Sequence, residues 1–200
     1  MNVLETIKSK REELIKGNIN CIPFPFAGTR NAYSGIAPGQ VVCITAETSV
    51  GKSTLAKYLY IFSVADFILE LPEGKNFDYK CLWFGLEESV EEFHISIIQY
   101  ALFKYFQVYL KQDELLSRIV PLNPEIIRLI ESDLVQDFFT LCTKMVDFDD
   151  TTSTPTGIYE VCKEQVERGM ADFSYSTISR LGSGRGVPKA QSIRNKTGEH

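Results

Sequence analysis

The stretch AETSVGKST, residues 46–54, places a glycine, a lysine and hydroxyl side chains between an apolar run and a helix-like run. Phosphates bind well where several backbone N–H groups converge at the start of a helix, because these donors are unpaired and the helix dipole favours negative charge. The sequence therefore predicts that this loop binds ATP and Mg²⁺. The predicted binding residues are Thr48, Ser49, Val50, Gly51, Lys52, Ser53 and Thr54.

Within this loop, each of three residue types has a separate task. Gly51 is predicted to let the backbone wrap the phosphates, Lys52 to reach the β- and γ-phosphates, and Ser53 to ligate Mg²⁺. The usual pattern begins with glycine where this chain has Ala46, which is also small. A coincidental GKS in an ordinary loop is the alternative, but the position between an apolar strand and a helix is the context that the motif requires.

Glu87 follows the apolar run CLWFGL and is a candidate catalytic carboxylate. Functional groups of an open parallel sheet gather at the carboxyl ends of its strands, where the phosphate loop would also lie. A carboxylate there can position and polarise a water molecule for attack on the γ-phosphate. The simpler interpretation is a solvated acid before a helix, and it is the preferred interpretation for the neighbouring Glu88.

Strands and helices are expected to alternate around these residues. Three apolar runs are predicted to be strands: VVCIT (41–45), KCLWFGL (80–86) and LCTKMVDF (141–148). Helices are predicted from Ser53 to a break at Pro72, from the capping pair Ser89 and Glu92, from Asn123 to about Phe139, and from Ile158 to Arg168. This order indicates an α/β fold with a mostly parallel sheet flanked by helices.

The chain divides into an amphipathic arm (1–17), the α/β domain (18–169) and a basic, flexible tail (170–200), where helical and strand periodicity stops. The apolar residues of the arm fall on roughly one face of a short helix: Leu4, Ile7, Leu14 and Ile15. The residues alone favour packing of this face on the arm's own domain over docking on a neighbouring subunit.

Composition limits the function classes. A formal charge of −5 argues against binding nucleic acid by bulk charge. The five cysteines are widely spaced in apolar segments, so we expect buried thiols in a reducing compartment. The first residues lack the apolar core of a signal peptide and no apolar run is long enough to span a bilayer, which predicts a soluble, cytoplasmic protein.

Five aromatic residues lie close together after position 99. They could form a base-stacking platform, but helical spacing among leucine and valine favours core or subunit contacts. These residues are Tyr100, Phe103, Tyr105, Phe106 and Tyr109.

These motifs together resemble the RecA-like ATPase domain of DnaB-type hexameric replicative DNA helicases, superfamily four. The matching pieces occur in the family's order: YSGIAPGQ (33–40), AETSVGKST (46–54), FGLEES (84–89) and DDTTSTPTGIYEV (149–161). The resemblance implies a RecA-like P-loop fold, with ATP and Mg²⁺ held by Lys52 and Ser53. It implies that Glu87 is the catalytic base that activates water.

The same resemblance implies partners. The arm resembles the family's linker helix, which packs on the adjacent subunit of the ring, and this reverses the preference for self-packing. A homo-oligomeric ring and, for the complete family member, single-stranded DNA are therefore the expected partners. The activity implied is ATP hydrolysis coupled to movement along that strand.

The chain departs from the family after residue 169. There the family has an apolar strand ending in aspartate, the Walker B strand, and later an arginine finger, whereas this chain continues GMADFSYSTISRLGSGRG. Asp172 lacks the apolar run before it, and Asp147, Asp149 and Asp150 fit the loop before a helix better. Two alternatives therefore remain: a non-catalytic, truncated nucleotide-binding subunit that regulates a helicase ring, and a RecA- or KaiC-like ATPase.

Overall fold

The computed structural model describes residues 2–16, 21–29, 35–37, 42–47, 49–72, 77, 79–167 and 173–177. Its helices are α1 (Val3–Ile15), α2 (Lys52–Lys57), α3 (Ser63–Leu69), α4 (Val90–Phe106), α5 (Gln112–Leu115), α6 (Pro124–Ile130), α7 (Asp133–Met145) and α8 (Pro155–Glu167). Its strands are β1 (Ile22–Pro23), β2 (Gly35–Ile36), β3 (Lys80–Phe84), β4 (Val146–Asp149) and β5 (Phe173–Thr177). A π-helical segment, Tyr58–Phe62, joins α2 to α3.

The predicted mixture of helices and strands is confirmed, but the described chain is mostly helical and its sheets are small. The main sheet has three strands in the order β4-β3-β5, and β3 is parallel to both neighbours. Cys81 pairs with Val146 on one side and with Ser174 on the other. Strands β1 and β2 form a separate antiparallel pair.

The core surrounds β3. Cys81, Leu82, Trp83 and Phe84 are all fully buried, as expected for a central parallel strand. Helices α3, α4 and α7 pack together with the π-helical segment beside it. The carboxyl end of β3 lies near the helical segment that begins at Lys52, since Phe84 and Ser53 line one cavity.

Aromatic side chains fill the contacts between these helices. Phe62 stacks on Tyr100 with ring centroids 4.5 Å apart, and Phe138 contacts both rings. Tyr105 packs edge-on against Phe138. The prediction of a core role thus holds for Tyr100 and Tyr105, whereas Tyr109 is exposed.

The expected first strand, VVCIT, is not a strand in the described residues 42–47. Its β-branched residues favour an extended backbone, but a strand forms only when a neighbouring backbone completes its hydrogen bonds. Both edges of β3 are already occupied by β4 and β5. Val42 is accordingly 51% exposed, which corrects the expectation of a buried central strand.

The third predicted strand, residues 141–148, begins later in the structure than the sequence predicts. Residues 141–145 are the last part of α7, and only Val146–Asp149 forms β4. The buried residues of α7 recur at helical spacing: Val135, Phe138, Cys142 and Met145. The preceding helix also ends earlier than predicted, because α6 stops at Ile130 and α7 begins as a separate helix.

Two further expectations need correction. The segment expected to be an unstructured tail contains β5, which pairs along β3 from Lys80 to Phe84, while residues 178–200 lie outside the described part of the chain. The cysteines are not uniformly buried, since Cys43 is exposed and Cys21 and Cys162 are half-buried.

The fully buried cysteine of β3 fits the expectation of inert thiols. Burial raises the pKa of the Cys81 thiol to about 12, so it stays protonated near neutral pH. Among the described residues, no helix combines the length and the apolar character needed to cross a bilayer.

Candidate functional site

The predicted phosphate loop turns sharply into α2. Ser49 and Gly51 both have positive φ, 63° and 88°, and Gly51 is the residue immediately before the helix. Glycine adopts this left-handed backbone without the penalty that a side chain brings. The helix starts with a hydrogen bond of 2.8 Å from Leu55 N to Gly51 O.

Lys52 points back onto the loop that precedes it. Its Nζ donates to the carbonyl oxygens of Ala46, at 3.1 Å, and of Glu47. The ammonium therefore sits inside the curve of the loop, held by neutral acceptors that an anion could replace. Thr48 lies outside the described residues, and Val50 and Thr54 are exposed.

Ser53 and Glu87 line the same cavity, of about 290 Å³. Ser53 comes from the first turn of α2, and Glu87 comes from the segment that follows β3. The other lining residues are Trp83, Phe84, Gly85, Leu86, Glu88, Glu92 and Gln112. The structure thus brings together two of the residues that the sequence singled out, across 34 positions of the chain (87 minus 53).

Backbone contacts fix the path of the chain after β3. Gly85 N donates to Asp149 O at 2.9 Å, which continues the pairing with β4 by one residue. A Cβ atom at Gly85 would lie 2.4 Å from the Phe148 ring and 2.5 Å from Glu88 O, so only glycine fits there. The chain can therefore turn tightly from β3 toward Glu88.

The predicted capping box closes this turn. Glu92 N donates to Ser89 Oγ at 3.3 Å, and Ser89 N donates to Glu92 Oε2 at 3.1 Å. Each side chain satisfies a backbone donor that the start of a helix leaves unpaired. The segment carrying Glu87 is thus anchored at both ends, by β3 and by α4.

Glu88 is more than the solvated neighbour that the sequence suggested. Its Oε1 lies 2.5 Å from Nζ of Lys57, the last residue of α2. This pair joins α2 to the segment after β3, and the lysine is buried. Sequence reasoning missed Lys57, although a single lysine inside the apolar run LAKYLYIFSVA was a signal for it.

The aspartates considered as alternatives for the Walker B residue lie elsewhere. Asp147, Asp149 and Asp150 line a second cavity, of about 310 Å³, which shares no lining residue with the first. Asp147 accepts a hydrogen bond of 3.4 Å from Gln165 Nε2. These carboxylates therefore do not line the cavity of Ser53 and Glu87, and Asp172 lies outside the described residues.

Asp149 organises the loop that leads into α8. Its Oδ1 accepts from Thr151 N and Thr151 Oγ1, both at 2.8 Å, and from Thr152 N at 2.9 Å. Partial burial alone would raise the pKa of the Asp149 carboxyl, but the hydrogen bonds from Thr152 and Thr151 outweigh it and lower the pKa to about 2. This pattern is a turn that a carboxylate stabilises locally.

Comparison of the chain with family models, with curated proteins and with solved structures finds no match. Conclusions about function therefore depend on the geometry of the first cavity.

The lining of the first cavity is rich in oxygen donors. The Ser53 hydroxyl and three carboxylates line the first cavity, and Mg²⁺ prefers such oxygen donors. In the described ranges, no group of three or more acidic, histidine or cysteine side chains is arranged to hold a metal ion. A metal ion bound there would therefore need further oxygen ligands from a bound molecule.

Proposed function

We propose that this chain is the ATP-binding part of a DnaB-like replicative DNA helicase, built on a RecA-like P-loop domain. The observation that carries the proposal is the shared cavity of Ser53 and Glu87. Phosphoryl transfer to water needs a phosphate held at a helix N-terminus and a carboxylate within reach of the attacking water. Ser53, in the first turn of α2, and the Glu87 carboxylate would supply these two requirements.

The loop residues would divide the work of binding. Gly51 shapes the turn, and Lys52 exchanges its carbonyl partners for the β- and γ-phosphate oxygens. Ser53 would hold Mg²⁺, which when bound offsets the charge on the β- and γ-phosphates. Glu87 would orient the attacking water and accept its proton.

A homo-oligomeric ring is the proposed assembly, with a second copy of the chain as the partner of the arm. Helix α1 buries none of its residues, and Val3, Leu4, Ile7, Leu14 and Ile15 are all exposed. An apolar face of this kind, left uncovered by its own domain, suits a neighbouring subunit. Single-stranded DNA is the proposed track of the complete assembly.

One observation favours the non-catalytic alternative. The family resemblance calls for an apolar strand ending in aspartate after the helix that corresponds to α8. The strand that follows α8 is β5, which lies beside β3 and has the sequence FSYST, without a carboxylate. A nucleotide-binding subunit that regulates a ring without hydrolysing ATP itself would need no such carboxylate.

Calorimetric titration with Mg·ATP, followed by phosphate-release assays with and without single-stranded DNA, tests the proposal. We expect binding of one nucleotide per chain, and slow release that DNA does not accelerate. No heat of binding with ATP or ADP would overturn the proposed function. Fast turnover without DNA would instead contradict the helicase assignment.

A further inference from the structure

Lys57 is unusually buried for a lysine, with only 8% of its surface exposed. Its ammonium is compensated by Glu88, whose Oε1 lies 2.5 Å away and whose side chain is 22% exposed. A buried charge without a partner is strongly unfavourable, and removing one partner of such a pair costs more than the pair contributes. The two side chains are therefore held together.

The pair connects two parts of the candidate site. Lys57 lies four residues after Ser53 on the same helical segment, so both side chains fall on one face. Glu88 directly follows Glu87 and directly precedes Ser89, the N-cap of α4. The ion pair thus joins the face of α2 that carries Ser53 to the short segment that carries Glu87.

We propose that Lys57 and Glu88 are positioning residues: their ion pair sets the distance between the phosphate-loop helix and Glu87, and keeps the charge of Glu88 from acting on the bound phosphates. The effect on nucleotide binding rests on the proposed function. We call the link that this ion pair makes between α2 and residues 86–89 the tie. The tie does not depend on the proposed function, because it follows from the contact itself.

Two single variants separate position from charge. Lys57→Met leaves the Glu88 carboxylate uncompensated on the cavity, which repels phosphate. Glu88→Gln keeps the shape of the side chain and leaves the Lys57 ammonium uncompensated, which attracts phosphate. Both variants lose the tie between α2 and residues 86–89. Their effects on phosphate binding through charge have opposite signs.

A second half-buried ion pair supplies the matched control. Lys104 Nζ lies 2.5 Å from Asp66 Oδ1 and joins α4 to α3. Neither of these residues lines the cavity of Ser53 and Glu87. Lys104→Met therefore removes a comparable lysine–carboxylate contact outside the candidate site.

Amide hydrogen exchange, measured on variants of the whole chain without nucleotide, tests whether the ion pair restrains residues 86–89. We expect exchange at residues 86–89 to become about tenfold faster in Lys57→Met and in Glu88→Gln, and unchanged in Lys104→Met. Unchanged exchange in Glu88→Gln, the milder variant, would overturn the tie. Equal acceleration in the Lys104→Met control would overturn it as well, because general loosening would then explain the effect.

Calorimetry with Mg·ATP tests how the charges of Lys57 and Glu88 affect nucleotide binding. We expect Lys57→Met to weaken binding about tenfold, and Glu88→Gln to bind as well as the wild type or better. Equal weakening in both variants and in the Lys104→Met control would overturn the charge effect. A wild-type chain that binds no Mg·ATP would overturn the proposed function, while the exchange rates would still decide the tie.

Discussion

The ammonium of Lys52 lies 3.1 Å from the carbonyl oxygen of Ala46, the first residue of its own loop. In this arrangement the Lys52 ammonium bridges the backbone carbonyl oxygens of Ala46 and Glu47. A bound phosphate would offer Lys52 ionised acceptors, which make stronger hydrogen bonds than neutral carbonyls do. Binding would therefore release the Ala46 carbonyl.

Lys52→Ala should abolish Mg·ATP binding, because no other loop residue supplies a positive charge for the β- and γ-phosphates. Calorimetry would show a loss of affinity of at least about a hundredfold. Lys144→Ala, at an exposed position near the end of α7, is the control and should bind normally. Equal affinity in the Lys52 variant and the wild type would contradict the phosphate-loop assignment.

The chain alone should release phosphate very slowly and should not unwind a forked duplex. One reason is that an arginine finger from a neighbouring subunit raises the rate by about 10³–10⁵ in related phosphoryl-transfer systems. A second reason is that β5 has no carboxylate that could help to hold Mg²⁺. Glu87→Gln should therefore lower the slow rate further without weakening nucleotide binding. Glu125→Gln, on α6, is the control. DNA-stimulated turnover that Glu87→Gln removes would show a working motor.

Deletion of residues 1–16 should reduce the mass of the particle in light scattering. The reason is that α1 buries none of its residues, so its apolar face is available to another copy. Ile7→Asp should have the same effect, since Ile7 is 59% exposed on that face. Ser9→Asp, at an exposed position on the opposite face of α1, is the control and should leave the mass unchanged. A monomer before and after deletion would contradict subunit docking.

Gly85→Ala should destabilise the fold by about 1–3 kcal/mol, as overpacking of a tight site does. The new methyl group would meet the Phe148 ring and the Glu88 carbonyl at 2.4 and 2.5 Å. Gly28→Ala is the matched control, because no atom lies within 4 Å of its Cβ position. Urea denaturation measures both variants, and equal midpoints would show that the turn after β3 adapts readily.

Asp149→Ala should lower stability at pH 7 by about 1 kcal/mol, a typical cost of replacing a capping side chain by alanine. The folded pKa of Asp149, about 2, lies below its ordinary value. Its stabilisation is thus complete above about pH 4 and is lost as pH falls through about 2. Urea denaturation between pH 7 and 2 should show the difference between wild type and variant shrinking in this window. A difference independent of pH would refute it.

Local signals in the sequence predicted the elements that local interactions stabilise. Ser89 and Glu92 form their capping box within four residues, so the start of α4 could be read directly. Gly51 and Lys52 of the predicted phosphate loop likewise mark a turn and the start of a helix. The strand character of residues 81–84 followed from their uninterrupted apolar run.

Elements that depend on distant partners could not be read in this way. Residues 42–47 have the composition of a strand, yet the edges of β3 are taken by β4 and β5. Residues 173–177 lack an apolar run but pair along β3. The contact between Lys57 and Glu88 spans 31 positions, so neither residue revealed the other.

The π-helical segment at Tyr58–Phe62 has a consequence for the rotational phase of the helix that contains it. Lys57 and Asp66 are nine residues apart (66 minus 57), about two and a half turns of an ideal α-helix, which would point them in opposite directions. The wider turn needs more residues per revolution and so rotates Asp66 back toward α4. There it meets Tyr100 and Lys104, while Lys57 reaches the residue just before the cap of the same helix. The π-helical turn thus lets one continuous helical segment contact α4 in its C-terminal half, through Asp66, and the residue before its N-cap, through Lys57.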